Sequence, residues 1–150
     1  MVVRFAAPAG NLPADLLAQV DTFAQLRAQL TRGIDEDARS YDAVRAARTA
    51  RKASPSDPKA QAAYLDALRG AALVPLETAE AIAKAESLLA SVKPRIKPIF
   101  GSDVRTAEEL LRAGKAGAVA NAEINLASLR ESQVTSDELV QRLRALGSGP

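Results

Sequence analysis

From Ala14 onward, apolar side chains return at three- and four-residue steps for more turns than any strand could sustain. Leu16, Val20, Phe23, Leu26, Leu30, Ile34, Tyr41 and Val44 follow this rhythm, with one step of seven, through "ADLLAQVDTFAQLRAQLTRGIDEDARSYDAVRAARTA". That spacing predicts one long helix, in which Gly33 is the only weak point. A loop is expected at "RKASPSDPK", where Pro55, Pro58 and the serines break the pattern and Asp57 precedes a proline.

The same rhythm resumes in "AQAAYLDALRGAALVPLETAEAIAKAESLLASVK", with Tyr64, Leu65, Leu68, Ala72, Leu76, Ala79, Ile82, Ala83, Leu88 and Leu89 on or near one face. Pro75 lies inside this run. It predicts a kink there, or a break with Pro75 in the first turn of a new helix. Pro94 and Pro98 make "KPRIKPIFGSD" a stiff connector. A further helix is expected from about Ser102 to Leu129, capped by Ser102 or Asp103, with Thr106 and Glu109 as an alternative capping box. The last helix should begin at Thr135, paired with Glu138 in a capping box, and end before "GSGP".

The composition agrees with packed helices. Hydrophobic residues make up 47% of the 150-residue chain and aromatics only 3%, with alanine and leucine carrying most of the apolar share. A sheet would draw on valine, isoleucine, threonine and aromatics instead. We therefore expect an all-α antiparallel bundle of about five helices forming a single domain over residues 1–150.

Charge and residue usage restrict the chemistry. Twenty lysines and arginines face 18 acidic residues, a net charge of only +2. That balance, with so few aromatics for base stacking, argues against a nucleic-acid partner. The chain has no cysteine and no histidine. Disulfides, thiolate catalysis and the commonest metal ligand are therefore excluded, and no metal is expected. No run approaches the roughly 18 to 20 apolar residues that span a bilayer, so a soluble, cytoplasmic protein is expected.

One segment is costly without an evident structural return. In "VANAEINLASL", Asn121 and Asn125 stand four residues apart in an otherwise alanine- and leucine-rich helix. Asparagine competes with the backbone for hydrogen bonds and weakens helices. At this spacing both amides share a face and could hold one ligand, or could bond across a helix or subunit interface. Gly114, Gly117 and Ala118, a turn or two earlier, suggest close helix packing.

With the connector included, Ser102-Asp103, Gly117-Ala118, Asn121 and Ile124-Asn125-Leu126 resemble the signature of the cyclodeaminase/cyclohydrolase family of folate enzymes. There a Ser-Asp loop end opens a small-residue helix reading Gly/Ala-Ala-x-x-Asn-x-x-Ile-Asn-Leu. "VPLETAE", Val74 to Glu80, is similar to the family's Val-Pro-Leu-Glu segment, and "IDEDARSYDAV", Ile34 to Val44, to its Asp-x-x-Ala-Phe-x-x-Val helix, with Tyr41 in the aromatic place. The family's glycine-rich opening turn and lysine-rich stretch are not matched; "MVVRFAAPAGN" resembles the end of its first helix. That helix is expected to lie outside this sequence, to be lost in this lineage, or to be supplied by a partner chain. "RIKPIFG" stands where the family has Gly-Asn, and Glu108 and Glu109 where it commonly has small apolar residues.

The resemblance implies a helical homodimer acting on one-carbon units of tetrahydrofolate without metal. It implies hydrolysis of 5,10-methenyltetrahydrofolate to the 10-formyl form, or cyclodeamination of 5-formiminotetrahydrofolate. The alternative it leaves is a non-catalytic relative that binds folate or serves as a structural or regulatory dimer. Asp37 and Asp103 are the carboxylates it matches, as catalytic candidates; Ser102, Asn121 and Asn125 are substrate-binding candidates. Lys97, in the basic run with Lys93 and Arg95, is a candidate for the anionic glutamate tail. Beside these stand plainer readings: Asp103 as a helix cap, Asp35 to Asp37 as a solvated face, and the basic runs as solvated charge.

Overall fold

The computed structural model describes residues 13–132, 134 and 136–147, and all its regular structure is helical. Four helices follow one another: α1 (Ala14–Ala53), α2 (Pro58–Val92), α3 (Gly101–Glu131) and α4 (Asp137–Gly147). Pro75 does not divide α2, so the described helices number four rather than about five. Thr135 lies outside the described residues, and with it the capping box expected there.

The turn between α1 and α2 is built by the residues that break the helical pattern. The Asp57 carboxylate accepts the Lys59 N–H at 2.9 Å, and Pro58 occupies the first helical turn, where its missing N–H costs nothing. Between α2 and α3 the proline-rich connector forms two single 3₁₀ turns, Lys93–Arg95 and Pro98–Phe100. The second leads straight into α3. Neither Ser102 nor Asp103 caps that helix, contrary to expectation: Phe100 holds the cap position and no side chain bonds the free N–H groups. Asp103 instead sits in the first turn, where a negative charge suits the helix dipole.

The buried side chains assign the packing. At one end Leu16 of α1 meets Leu89 and Val92 of α2 and Val104 of α3. In the middle Leu26 packs on Ala81 and Ala85. At the other end Tyr64, Leu68, Ala72 and Leu76 of α2 join Ala122, Leu126 and Leu129 of α3 and Leu139 of α4, with Val44 of α1 against them. Thus α1 and α3 both run antiparallel to α2. They flank it and scarcely touch each other, which leaves an open cleft over α2. At the α1–α2 end, the Arg51 guanidinium lies 4.2 Å from the centre of the Tyr64 ring.

The long stripe of α1 is only partly consumed by this core. Leu16 and Leu26 are buried, but Ile34 is 71% and Tyr41 68% exposed. On α3, Leu110 and Ile124 are exposed to a similar degree. Among the described residues no helix is long and apolar enough to cross a membrane.

The short helix α4 is held by Leu139 and by a two-pronged ion pair. The Arg142 guanidinium donates to both Glu80 carboxylate oxygens, at 2.8 and 2.9 Å. Its hydrogen bonds hold the Glu80 carboxyl below the usual carboxylate range. A group with a lowered folded-state pKa stabilises the fold above its unfolded value and loses that contribution as pH falls through the folded one. Glu80→Gln should therefore cost about 1 kcal/mol at pH 7. The difference from wild type should shrink as pH falls below about 4.5. Urea titrations at a series of pH values check this, and a difference independent of pH would refute it.

Candidate functional site

A pocket of about 300 Å³ opens midway along the cleft. Leu30, Gly33, Ile34 and Asp37 line it from α1, Pro75 and Thr78 from α2, and Ala113, Gly114, Gly117, Ala118 and Asn121 from α3. Here α1 and α3 each approach α2 beside a glycine. A Cβ on Gly33 would lie 3.5 Å from the Thr78 hydroxyl, and one on Gly114 3.4 Å from the end of Ile82. Gly114 therefore lies at ordinary contact distance from the neighbouring helix. Gly117 does not, since an added Cβ there would meet nothing within 4 Å. Its missing side chain opens the pocket instead.

Two polar side chains frame that opening. Asp37, on α1, and Asn121, on α3, come to the same pocket although 84 residues separate them (121 − 37). Among the described residues neither side chain makes a hydrogen bond or ion pair, so both are available to a ligand. The Thr78 hydroxyl donates to the Val74 carbonyl at 3.0 Å and keeps acceptor capacity toward the pocket. The pocket thus offers one anion, one amide and one hydroxyl oxygen above an apolar floor.

An apolar groove of about 460 Å³ continues from it along the cleft, sharing Leu30 and Ile34 and adding Phe23, Leu26, Ala107, Leu110 and Leu111. Pocket and groove together reach the size range of sites for small organic ligands. The continuation offers a flat apolar surface next to the polar opening.

The other candidates from the sequence lie elsewhere. Asn125 shares the face of Asn121 but turns to α2, where its amide donates to the Ala71 carbonyl at 2.7 Å. Ser102 and Asp103 are exposed at the start of α3, and Lys97 is exposed in the connector before it. From Asp103 to Asn121 the helix advances by about 27 Å at 1.5 Å per residue. Within one chain, then, the structure unites Asp37 with Asn121 and keeps Asp103, Ser102 and Lys97 apart from them. The neighbouring basic residues are already engaged: Lys93 bonds Glu108 at 2.6 Å, and Arg95 pairs with Asp15.

Comparison with known proteins gives the family. The sequence pattern of the formiminotransferase-cyclodeaminase family matches residues 7–144, nearly the whole chain. The chain belongs to that family. It is also 32% identical over 135 residues to the formimidoyltransferase-cyclodeaminase of Sus scrofa, covering 89% of this chain and 24% of the pig protein. It therefore spans about a quarter of that relative's length. No solved structure matches it.

Sequence reasoning missed the pocket walls, Gly33, Pro75, Thr78 and Gly117. A signal was present for two of them. Gly33 precedes Asp37, and Gly117 precedes Asn121, by four residues each. On two helices of this cyclodeaminase-family chain a glycine one turn before a polar residue therefore clears space beside that polar group. Because the Gly117 site is open, Gly117→Ala should restore helix propensity without a clash. We expect it to raise stability by about 1 kcal/mol. Chemical denaturation tests this, and a loss of stability would show that the position is packed rather than open.

Proposed function

We propose that this chain binds a reduced folate in the α1–α3 cleft and acts on its one-carbon unit. The reaction is hydrolysis of 5,10-methenyltetrahydrofolate to 10-formyltetrahydrofolate, or cyclodeamination of 5-formiminotetrahydrofolate. The observation that carries this reading is the meeting of Asp37 and Asn121 in one pocket of a formiminotransferase-cyclodeaminase family member.

The methenyl bridge is an amidinium-like cation. A carboxylate beside it stabilises that charge and accepts a proton from the attacking water. In hydrolysis a C–O bond forms at the bridge carbon, its bond to one ring nitrogen breaks, and the formyl group stays on the other. In cyclodeamination the free nitrogen attacks the formimino carbon and ammonia leaves. We assign the carboxylate role in either reaction to Asp37, and the Asn121 amide can hold a formyl oxygen or the pterin edge. The apolar groove beside them suits the flat aromatic part of the ligand.

A homodimer completes this reading. Ile34, Tyr41, Leu110 and Ile124 are each at least 65% exposed around the cleft. Apolar surface of this kind favours a covering partner. A second copy, facing the first with its α3 reversed, would bring Asp103, Ser102 and Lys97 toward the Asn121 end. Those three residues are proposed to act there, Asp103 as the second carboxylate and Lys97 on the anionic tail. Because Asp103 stands far from Asp37 within one chain, the second reading is a relative that binds folate without turnover.

Calorimetric titration with 5,10-methenyltetrahydrofolate, followed by loss of its chromophore in the same sample, tests the proposal. Binding with turnover above the spontaneous rate is expected. Asp37→Asn should then lower turnover about 100-fold or more while the ligand still binds. Turnover unchanged in that variant would remove Asp37 from the chemistry. Binding without turnover favours the second reading, and absence of binding rejects both.

A further inference from the structure

The side-chain bond from Asn125 to α2 falls at an unusual place in that helix. In a regular α-helix the carbonyl of residue 71 accepts the N–H of residue 75. Residue 75 here is proline, which has no N–H to give. The Ala71 carbonyl is thereby deprived of its helical partner. Ala71 is only 7% exposed, so water cannot readily replace the lost donor. The Asn125 Nδ2, reaching across from α3, occupies the vacant position at 2.7 Å. Among the described residues no other side chain donates to that carbonyl.

Pro75 also belongs to the floor of the Asp37–Asn121 pocket. The side chain that replaces its missing hydrogen bond sits one turn beyond Asn121 on the same helix, α3. We propose that Asn125 is a positioning residue, which sets the distance between the α2 floor and the Asn121 wall by standing in for the hydrogen bond that Pro75 removes. It acts on the bound folate through the backbone rather than by touching it. This inference rests on the folate reading for its effect on binding, but its core is a coupling between two residues that can be measured with no ligand.

The coupling has a definite sign. Pro75→Ala restores an N–H at residue 75, and the helix can then satisfy the Ala71 carbonyl by itself. Asn125 becomes dispensable in that background. Asn125→Ala alone should lower the folding equilibrium constant about fivefold or more, because a buried acceptor loses its donor. The same substitution made on top of Pro75→Ala should change it less than about twofold. Asn125→Asp should behave like Asn125→Ala or worse, since a carboxylate cannot donate to a carbonyl.

The experiment is a double-mutant cycle of wild type, Asn125→Ala, Pro75→Ala and the double variant, read by urea denaturation and by titration with 5,10-methenyltetrahydrofolate. A stability cost of Asn125→Ala that is confined to the Pro75 background supports the coupling; equal costs in both backgrounds overturn it. For binding, we expect affinity lost in Asn125→Ala to be recovered in the double variant. A binding loss that persists there would mean that the amide contacts the ligand directly, which overturns the positioning role and leaves the folate reading intact. If wild type itself fails to bind, the folate reading and the effect on binding fail together, while the stability cycle still decides the coupling. If Pro75→Ala fails to fold, Asn125→Gln supplies the second comparison: a longer donor that recovers both stability and affinity supports the bridge, and recovery by Asn125→Asp overturns it.

Discussion

The alanine-rich buried face of α2 sets the geometry on which the other helices depend. Ala71, Ala72, Ala79, Ala81 and Ala85 are all at most 7% exposed, interspersed with Leu68, Leu76, Leu89 and Val92. Helices approach closely where the intervening side chains are small and stand off where they are large. Large residues dominate the two ends, in the Tyr64–Leu129 and Leu16–Val104 clusters, while in the middle Leu26 packs on the small side chains of Ala81 and Ala85. Two helices anchored at their ends against a common third leave a cleft between them. The pocket with Asp37 and Asn121 is the polar part of that cleft.

How far this was legible in the sequence depends on the range of the interaction involved. The three- and four-residue rhythm is local, and it located all four helices and the broken connector near Pro94 and Pro98. The helix α3 starts within a residue of its expected place, but its cap was misassigned, because Ser102 and Asp103 are good capping types in general while the cap here follows from the 3₁₀ turn before it. Pro75 was read from its intrinsic cost alone. The partner found beside it is not local: an amide 50 positions away in the chain (125 − 75) donates to the Ala71 carbonyl that Pro75 leaves without its helical N–H. The role of Gly117 depends on where α1 lies, which periodicity on α3 cannot reveal. Asn121 stood out by its cost to the helix and Asp37 through family resemblance, and only the fold brings them to one pocket.

Charge pairs add register to this apolar framework. Lys93–Glu108 and Lys115–Glu86 tie α2 and its end to α3, Arg95–Asp15 ties the connector to α1, and Arg142–Glu80 ties α4 to α2. Exposed or half-exposed pairs of this kind contribute at most about 1 kcal/mol each. They also engage basic side chains that would otherwise be open to an anion. Lys93 and Arg95 are committed to carboxylates, so of that run Lys97 is the residue with its ammonium group left to solvent. Glu108, which departs from the family's usual small residue, is the partner that engages Lys93.

Solvent access connects the fold to the proposed chemistry. Asp37 stands in an open cleft, where water screens the attraction between a carboxylate and a cationic ligand. The same attraction strengthens when the surrounding dielectric falls, so covering the cleft would favour the proposed reaction. The side chains best placed to receive such a cover are Ile34 and Tyr41 on one wall and Leu110 and Ile124 on the other. Their exposure is costly to an isolated chain and useful to an assembled one. In the proposed dimer a single event, burial of these four residues, would both stabilise the assembly and take water away from Asp37, so assembly and chemistry would respond to the same apolar contacts.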